Sequence, residues 1–326
     1  LTAGDRVVIQ LGNGVELVAS TLAVIALGGV PVLLEAGLGD AVYLTRISAA
    51  EARWLLVHPL IHALGNAPRL RRIAERNGIN LPPMPDVMEE LQVSKRSLDR
   101  LVLQDSGAPL SITEQEPSDP CLIVFTGGTT RAPRGVMHTH GSLHAFLGNI
   151  QAMTAAHPVE QLVADTLPQA LYALYLGITA YTAHGRGARR AAHVLDLMQS
   201  GTVQGYFGAP YLWLAMMKQA DGQPMPQTLR TVVLGSAPVT PRFLHQLSRF
   251  LHPKTHVVSL YGLTEAGPVC VATVEDKLAW AGEGDFVGHP VPGTVVEIDA
   301  EPGGVGEVLL HGPSLCVGYL NEPLRA

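Results

Sequence analysis

The chain has 326 residues, 47% of them hydrophobic and 15% charged, with a formal net charge of −6. That apolar content excludes a disordered chain, and the length suits about two domains whose cores need no staples. The acidic balance, 22 Lys and Arg against 28 Asp and Glu, argues against nucleic acid as the main partner. Three cysteines, Cys121, Cys270 and Cys316, form no C-x-x-C pair. Neither a disulfide framework nor a zinc cluster is indicated, and a reducing, cytoplasmic setting is the expectation.

From the N-terminus, Val7-Val8-Ile9 reads as part of a strand over 6–10, followed by a helix over 14–27 and a strand over 30–34. No charged residue falls between Leu17 and Leu34, about the minimum length of a membrane span. Gly28-Gly29 and Pro31 interrupt the run, so a buried strand–helix–strand unit is expected, with no membrane partner. Residues 67–77 read as a charged surface helix with Pro68 near its start and Gly78 just past its end. The polar stretch 79–120, with Leu81-Pro82-Pro83-Met84-Pro85, reads as a link.

Leu122-Ile123-Val124-Phe125 is a short apolar strand, and Ser142 to Ala155 a helix. Strands are expected at Gln204–Phe207, Thr231–Leu234 and Val257–Leu260, with helices at Pro210–Gln219 and Pro241–Leu251. Such alternation implies mostly parallel sheets covered on both faces. After Gly282 the pattern changes to two short strands, Val295–Ile298 and Glu307–Leu310, with Glu301-Pro302-Gly303-Gly304 between them, which is a hairpin signature. The expected divisions are an α/β subdomain over 1–120, a second over 121–281 and a small antiparallel subdomain over 282–326.

The most informative segment is Thr126-Gly127-Gly128-Thr129-Thr130-Arg131-Ala132-Pro133-Arg134-Gly135, directly after a buried strand. Its glycines allow close backbone approach to a ligand. Successive N–H groups in such a loop make an anion-binding concavity, and Arg131 and Arg134 can grip phosphate oxygens. It is neither G-x-x-x-x-G-K-[ST] nor G-x-G-x-x-G.

This loop resembles the T-S-G-T-T-G-x-P-K-G phosphate loop of the adenylate-forming superfamily of acyl- and aryl-CoA synthetases, luciferases and nonribosomal peptide adenylation domains. It keeps Thr126, Gly128, Thr129, Thr130, Pro133 and Gly135, and departs with Gly127 for Ser, Arg131 for Gly and Arg134 for Lys. Other motifs resemble the same family in order: Gly4-Asp5-Arg6-Val7 with Gly29-Val30-Pro31-Val32, Gly235-Ser236-Ala237-Pro238, Tyr261-Gly262-Leu263-Thr264-Glu265, and Val287-Gly288-His289-Pro290 through Gly318-Tyr319.

The resemblance implies the large N-terminal domain of that family: an α/β fold of two mostly parallel sheets flanked by helices, plus a small antiparallel subdomain. A ribose-binding aspartate, a hinge and a mobile C-terminal domain would lie beyond Ala326. It implies ATP and Mg²⁺, and a carboxylate converted to an acyl-adenylate and then passed to coenzyme A or a carrier-protein thiol. The implied nucleotide-binding residues are Thr126, Gly127, Gly128, Thr129, Thr130, Arg131, Gly235, Ser236, Ala237, Pro238, Tyr261, Gly262, Leu263 and Thr264. Thr264, Glu265 and Arg134 are the implied catalytic residues, with Glu265 on the metal. Tyr172, Tyr175, Phe207, Gly208, Gly235, Leu263 and Ala266 are the implied acyl-pocket residues. No Asp or Glu stands among these to pair an ammonium group, so an apolar acyl or aryl carboxylate is expected. Three alternatives stay open: a degenerate member that binds an acyl-adenylate without making it, an adenylation domain loading a carrier protein, and a β-lactone synthetase. For this stretch alone, weak adenylation is expected.

Overall fold

Val7, Val8 and Ile9 are all buried, although neighbours in a strand point to opposite faces. Both faces of their sheet must therefore be covered, and the computed structural model of the chain shows that they are. The structure describes residues 1–34, 40–67, 69, 72, 89–103, 107, 112–125, 134–301, 303–320 and 322–323. Two compact units emerge, one of residues 1–143 with 316–326 and one of residues 144–315.

The first unit opens with β1 (Arg6–Gln10), α1 (Val15–Ala26), β2 (Val30–Leu33), α2 (Asp40–Ala50), β3 (Trp54–Val57) and α3 (Pro59–Gly65). The chain continues through β4 (Glu89–Gln92), α4 (Lys95–Leu103), β5 (Pro120–Phe125) and β6 (Gly135–Thr139), and α5 (His140–Thr154) leads into the second unit. Two short strands near the C-terminus, β16 (Gly318–Tyr319) and β17 (Glu322–Pro323), complete an eight-stranded sheet of order β17-β16-β6-β5-β2-β1-β3-β4. The five strands from β5 to β4 run parallel, and β6 and β16 add antiparallel pairs. Val8, Val32, Leu55 and Val57 pack on one face, and Val7, Ile9, Val24 and Leu56 on the other.

The apolar run from Leu17 resolves into α1 and β2, and no described helix is long and apolar enough to cross a membrane. The helix expected over 67–77 falls, apart from Ala67, Arg69 and Arg72, outside the described residues. The stretch 79–120 is more than a link, because it holds β4 and α4. β4 escapes a reading by alternation because it is an edge strand whose four residues, Glu89-Glu90-Leu91-Gln92, are all exposed.

The second unit contains β7 (Gln161–Ala164), α6 (Leu167–Leu176), β8 (Thr179–Thr182), α7 (Gly187–Gln199), β9 (Gly205–Gly208), α8 (Pro210–Gln219), β10 (Thr231–Leu234), α9 (Pro241–Phe250), β11 (His256–Leu263), β12 (Gly267–Thr273), α10 (Val274–Ala279) and β13 (His289–Pro290). Its seven-stranded sheet has the order β13-β12-β11-β10-β9-β7-β8. It is parallel from β8 to β11 and antiparallel from β11 to β13. Trp213, Met216, Val232, Leu234 and Leu247 are almost wholly buried in its core. The N-termini of α8 and α9 each carry Pro in the first turn, where its missing N–H costs nothing. A separate antiparallel pair, β14 (Val295–Asp299) with β15 (Glu307–His311), matches the expected hairpin.

The architecture is thus the two mostly parallel sheets and small antiparallel sheet that the sequence implies. The units divide differently from the expected boundaries at 120 and 281. β5 joins the first sheet through β2, and residues 318–323 return to it through β6.

Candidate active site

In open parallel sheets, ligands bind outside the carboxyl ends of the strands. In the second unit two of the sequence motifs and the Phe207-Gly208 pair converge on that edge. β9 ends in Phe207-Gly208, β10 runs into Gly235-Ser236-Ala237-Pro238, and the register sets Leu234 between Gly208 and Ser259 of β11. The Phe207 ring lies 3.0 Å, and the Leu260 carbonyl 3.1 Å, from where a Cβ on Gly235 would stand. Gly235 is buried, whereas Ser236, Ala237 and Pro238 are exposed. Ser236 holds φ at 63°, a left-handed conformation that costs a non-glycine residue roughly 1–2 kcal/mol. Such strain gathers where a ligand fixes the backbone's shape.

The strand expected to stop at Leu260 continues through Tyr261, Gly262 and Leu263, where it pairs antiparallel with β12. Its register shifts between Tyr261 and Gly262, a bulge of the kind that re-aims side chains beside active sites. A Cβ on Gly262 would stand 2.5 Å from the Gly267 carbonyl oxygen, so only glycine fits. Tyr261, Thr264 and Glu265 are half-buried, Leu263 is exposed and Ala266 is buried. A phenol ring, a hydroxyl and a carboxylate therefore follow one another along a single turn of chain.

Tyr172 and Tyr175, on α6, both face α5. The hydroxyls of Tyr172 and Thr154 share a 2.7 Å hydrogen bond, and burial raises the Tyr172 phenol above its usual range. The Tyr175 ring meets His144 edge-on, with centroids 5.4 Å apart. Arg134 belongs to the other unit, where its guanidinium lies 4.7 Å from the Tyr319 ring centroid and 3.9 Å from Glu322. Thr126, Gly127, Gly128, Thr129, Thr130 and Arg131 lie outside the described residues.

Sequence reasoning missed a buried polar cluster beside Phe207. Asp165, at the end of β7, and Gln169, in the first turn of α6, are 2% and 7% exposed. The Asp165 carboxylate accepts a hydrogen bond from the Tyr206 hydroxyl at 3.2 Å and lies 4.0 Å from Arg190. Burial pushes its pKa up, against the opposing pull of Gln169, Arg190 and Tyr206. The available signal was the pair of polar residues flanking Leu167-Pro168 in an otherwise apolar segment.

Among the described residues no group of three or more His, Cys, Asp or Glu could hold a metal ion. That donor set fits Mg²⁺ only in the manner of a phosphate-bridging ion, held by one carboxylate and completed by water and phosphate oxygens.

A fold of this kind is that of the N-terminal domain of adenylate-forming enzymes. The chain belongs to the AMP-binding enzyme family, whose model matches residues 1–320. It is similar to an olefin β-lactone synthetase of Stenotrophomonas maltophilia (strain K279a), 27% identical over 98% of this chain and 60% of that protein. A feruloyl-CoA synthase of Amycolatopsis is 28% identical over 86% of this chain and 60% of its own length. Among solved structures, the o-succinylbenzoate CoA synthetase of Bacillus subtilis, in complex with its acyl-adenylate intermediate, superposes with a TM-score of 0.76. That match covers 99% of this chain and 62% of the other at 17% identity, and shows the shared fold. The chain spans about 60% of the length of the curated relatives it matches.

Proposed function

We propose that this chain is the nucleotide- and carboxylate-binding part of an enzyme that activates a carboxylic acid with ATP as an acyl-adenylate and passes the acyl group to a thiol. The observation that carries this reading is the placing of Gly235–Pro238 and Tyr261–Glu265 on adjacent strand ends, with a strained Ser236 and a bulge at Tyr261. On this reading the Tyr261 ring offers adenine a flat face, and the loop of Thr126, Gly127, Gly128, Thr129, Thr130 and Arg131 receives the phosphates. Thr264 meets the α-phosphate and Arg134 neutralises charge on the leaving pyrophosphate.

Glu265 would hold Mg²⁺, which would supply charge neutralisation across the phosphates. The carboxylate is already ionised at neutral pH, so its attack on the α-phosphorus needs no general base, and the residues serve to position and to neutralise. Phe207, Gly208, Gly235, Leu263 and Ala266 form an apolar wall without a carboxylate, suited to an acyl or aryl acid rather than an amino acid. Transfer to coenzyme A or a carrier-protein thiol depends on the portion that the relatives carry beyond the matched region. The three cysteines are buried and none is in a disulfide, in keeping with a reducing cytosol.

The similarity to an olefin β-lactone synthetase favours a second reading. There a hydroxyl on the acyl chain itself attacks the activated carbonyl, closing a β-lactone and releasing AMP.

The test is ATP-dependent pyrophosphate release with octanoate, dodecanoate, ferulate and a 3-hydroxy fatty acid in the presence of coenzyme A, followed by mass spectrometry of the products. A thioester supports the first reading and a β-lactone the second. Tyr261→Ala should raise the KM for ATP, and Phe207→Ala the KM for the acid. Pyrophosphate release with none of these acids refutes both readings.

A further inference from the structure

The hydrogen-bond ladder between β7 and β9 ends at Val163↔Tyr206, while β9 stays paired with β10 as far as Leu234↔Gly208. Phe207 therefore has a strand partner on one side and not on the other. One step past the end of the ladder, the free strand donor is the Asp165 N–H and the free acceptor is the Phe207 carbonyl. These two groups are joined through a side chain. The Gln169 Oε1 accepts from the Asp165 N–H at 2.7 Å, and the Gln169 Nε2 donates to the Phe207 oxygen at 2.8 Å. The primary amide thus takes the place of a peptide group in the sheet, acceptor toward one strand and donor toward the other. The orientation is unambiguous, because one partner can only donate and the other only accept.

This amide lies behind the acyl wall. Its carbonyl partner belongs to the residue whose ring rests against Gly235, and it is itself buried. An apolar side chain of similar length would leave a buried carbonyl and a buried N–H unmatched. We propose that Gln169 is a positioning residue for carboxylate recognition: its carboxamide pins the exit of β9, and so sets where Phe207 meets the acyl chain. The inference rests on the acyl-adenylate reading above, which it deepens by naming the group that fixes the pocket wall.

Two substitutions separate this role from general stability. Gln169→Met keeps length and removes both hydrogen bonds. Gln169→Glu keeps an acceptor for Asp165 N–H but, when ionised, turns an oxygen toward the Phe207 carbonyl. Protonated, the introduced carboxyl again both accepts and donates. In pyrophosphate release with octanoate, dodecanoate and ferulate at about pH 8, both variants should raise the KM for the acid roughly five- to tenfold, as for loss of a buried hydrogen bond. The KM for ATP should stay within about twofold. At about pH 5.5 Gln169→Glu should recover toward the unsubstituted protein, and Gln169→Met should not.

Unchanged KM for the acid in both variants, equal shifts in both substrates, or no recovery of Gln169→Glu at low pH overturns the proposal. If the unsubstituted protein releases no pyrophosphate with any of these acids, the functional reading fails by itself. Hydrogen exchange of the 205–210 segment then still tests the positioning role. Faster exchange there in both variants at pH 8, with recovery confined to Gln169→Glu at pH 5.5, supports it, and unchanged exchange overturns it.

Discussion

The ring of Phe146 rests on the backbone of Gly267, in the space that a Cβ at that position would need. Gly267 also holds φ at 69°, so it is required twice, once for its left-handed backbone and once for its missing side chain. The contact fixes the turn that carries Thr264 and Glu265 into β12. Gly267→Ala should destabilise the protein by about 2–4 kcal/mol, combining left-handed strain with displacement of a packed ring. Urea denaturation checks this. Adding Phe146→Leu should restore part of the loss, because the two positions are coupled. A single variant within about 0.5 kcal/mol of the parent would show the contact to be unimportant.

Lys277 is buried, and its ammonium donates to Asp285 Oδ1 at 2.6 Å and to the Phe286 carbonyl at 2.8 Å. The two partners differ in exposure, since the Asp285 side chain is 39% exposed and that of Lys277 only 2%. Removing the acid strands a buried charge, whereas removing the lysine leaves a carboxylate that water can reach. Asp285→Ala should therefore cost about 2–4 kcal/mol and Lys277→Met about 1 kcal/mol or less. The order of the two urea midpoints is the decisive measurement, and a reversed order would contradict the argument.

His157 and His256 stack with ring centroids 3.8 Å apart and an interplanar angle of 20°. Burial, and then the neighbouring His157, lower the His256 pKa below its ordinary value of 6.5, against a weaker opposing effect of Glu275. The unfolded chain therefore takes up this proton more readily than the folded one. The associated stability is present above about pH 6.5 and is lost as pH falls. His140, also lowered by burial, adds a slope of the same sign. The difference in Tm between about pH 7.5 and 5.5 should shrink in His256→Gln, and an unaltered difference would exclude His256 as a source of the acid sensitivity.

Ser236 bears its left-handed backbone without the freedom of glycine. Ser236→Gly should remove that strain and raise stability by up to about 1 kcal/mol, less the entropy that glycine adds to the unfolded chain. A loss of stability on this change would show that the serine side chain, rather than backbone shape, is what the turn requires.

Much of this could be read from the residues alone, for identifiable reasons. Val7-Val8-Ile9, Thr231–Leu234 and Pro210–Gln219 declare themselves because burial on both faces, or a proline at a helix start, leaves a local mark. The exposed β4 leaves none, since Glu89-Glu90-Leu91-Gln92 satisfies no alternation. The extension of β11 through Tyr261–Leu263 depends on pairing with β12 across a bulge, which residue type does not announce. The bridging role of Gln169 is not legible for a related reason: it joins residues 165 and 207, and only the fold makes these neighbours. The residues lining the sheet edge were legible because their motif spacing is itself the chemistry, a glycine for approach beside a hydroxyl and an acid.

The return of residues 318–323 to β6 has a consequence for biosynthesis. A ribosome delivers all of residues 144–315 before the strands that cap the first sheet exist. Until β16 and β17 emerge, the outer margin of β6 is a naked row of amides and carbonyls, the type of surface on which nascent chains join one another. Premature termination before residue 318 would make that exposure permanent, so truncated translation products should be far more prone to clump than chains that carry β16 and β17.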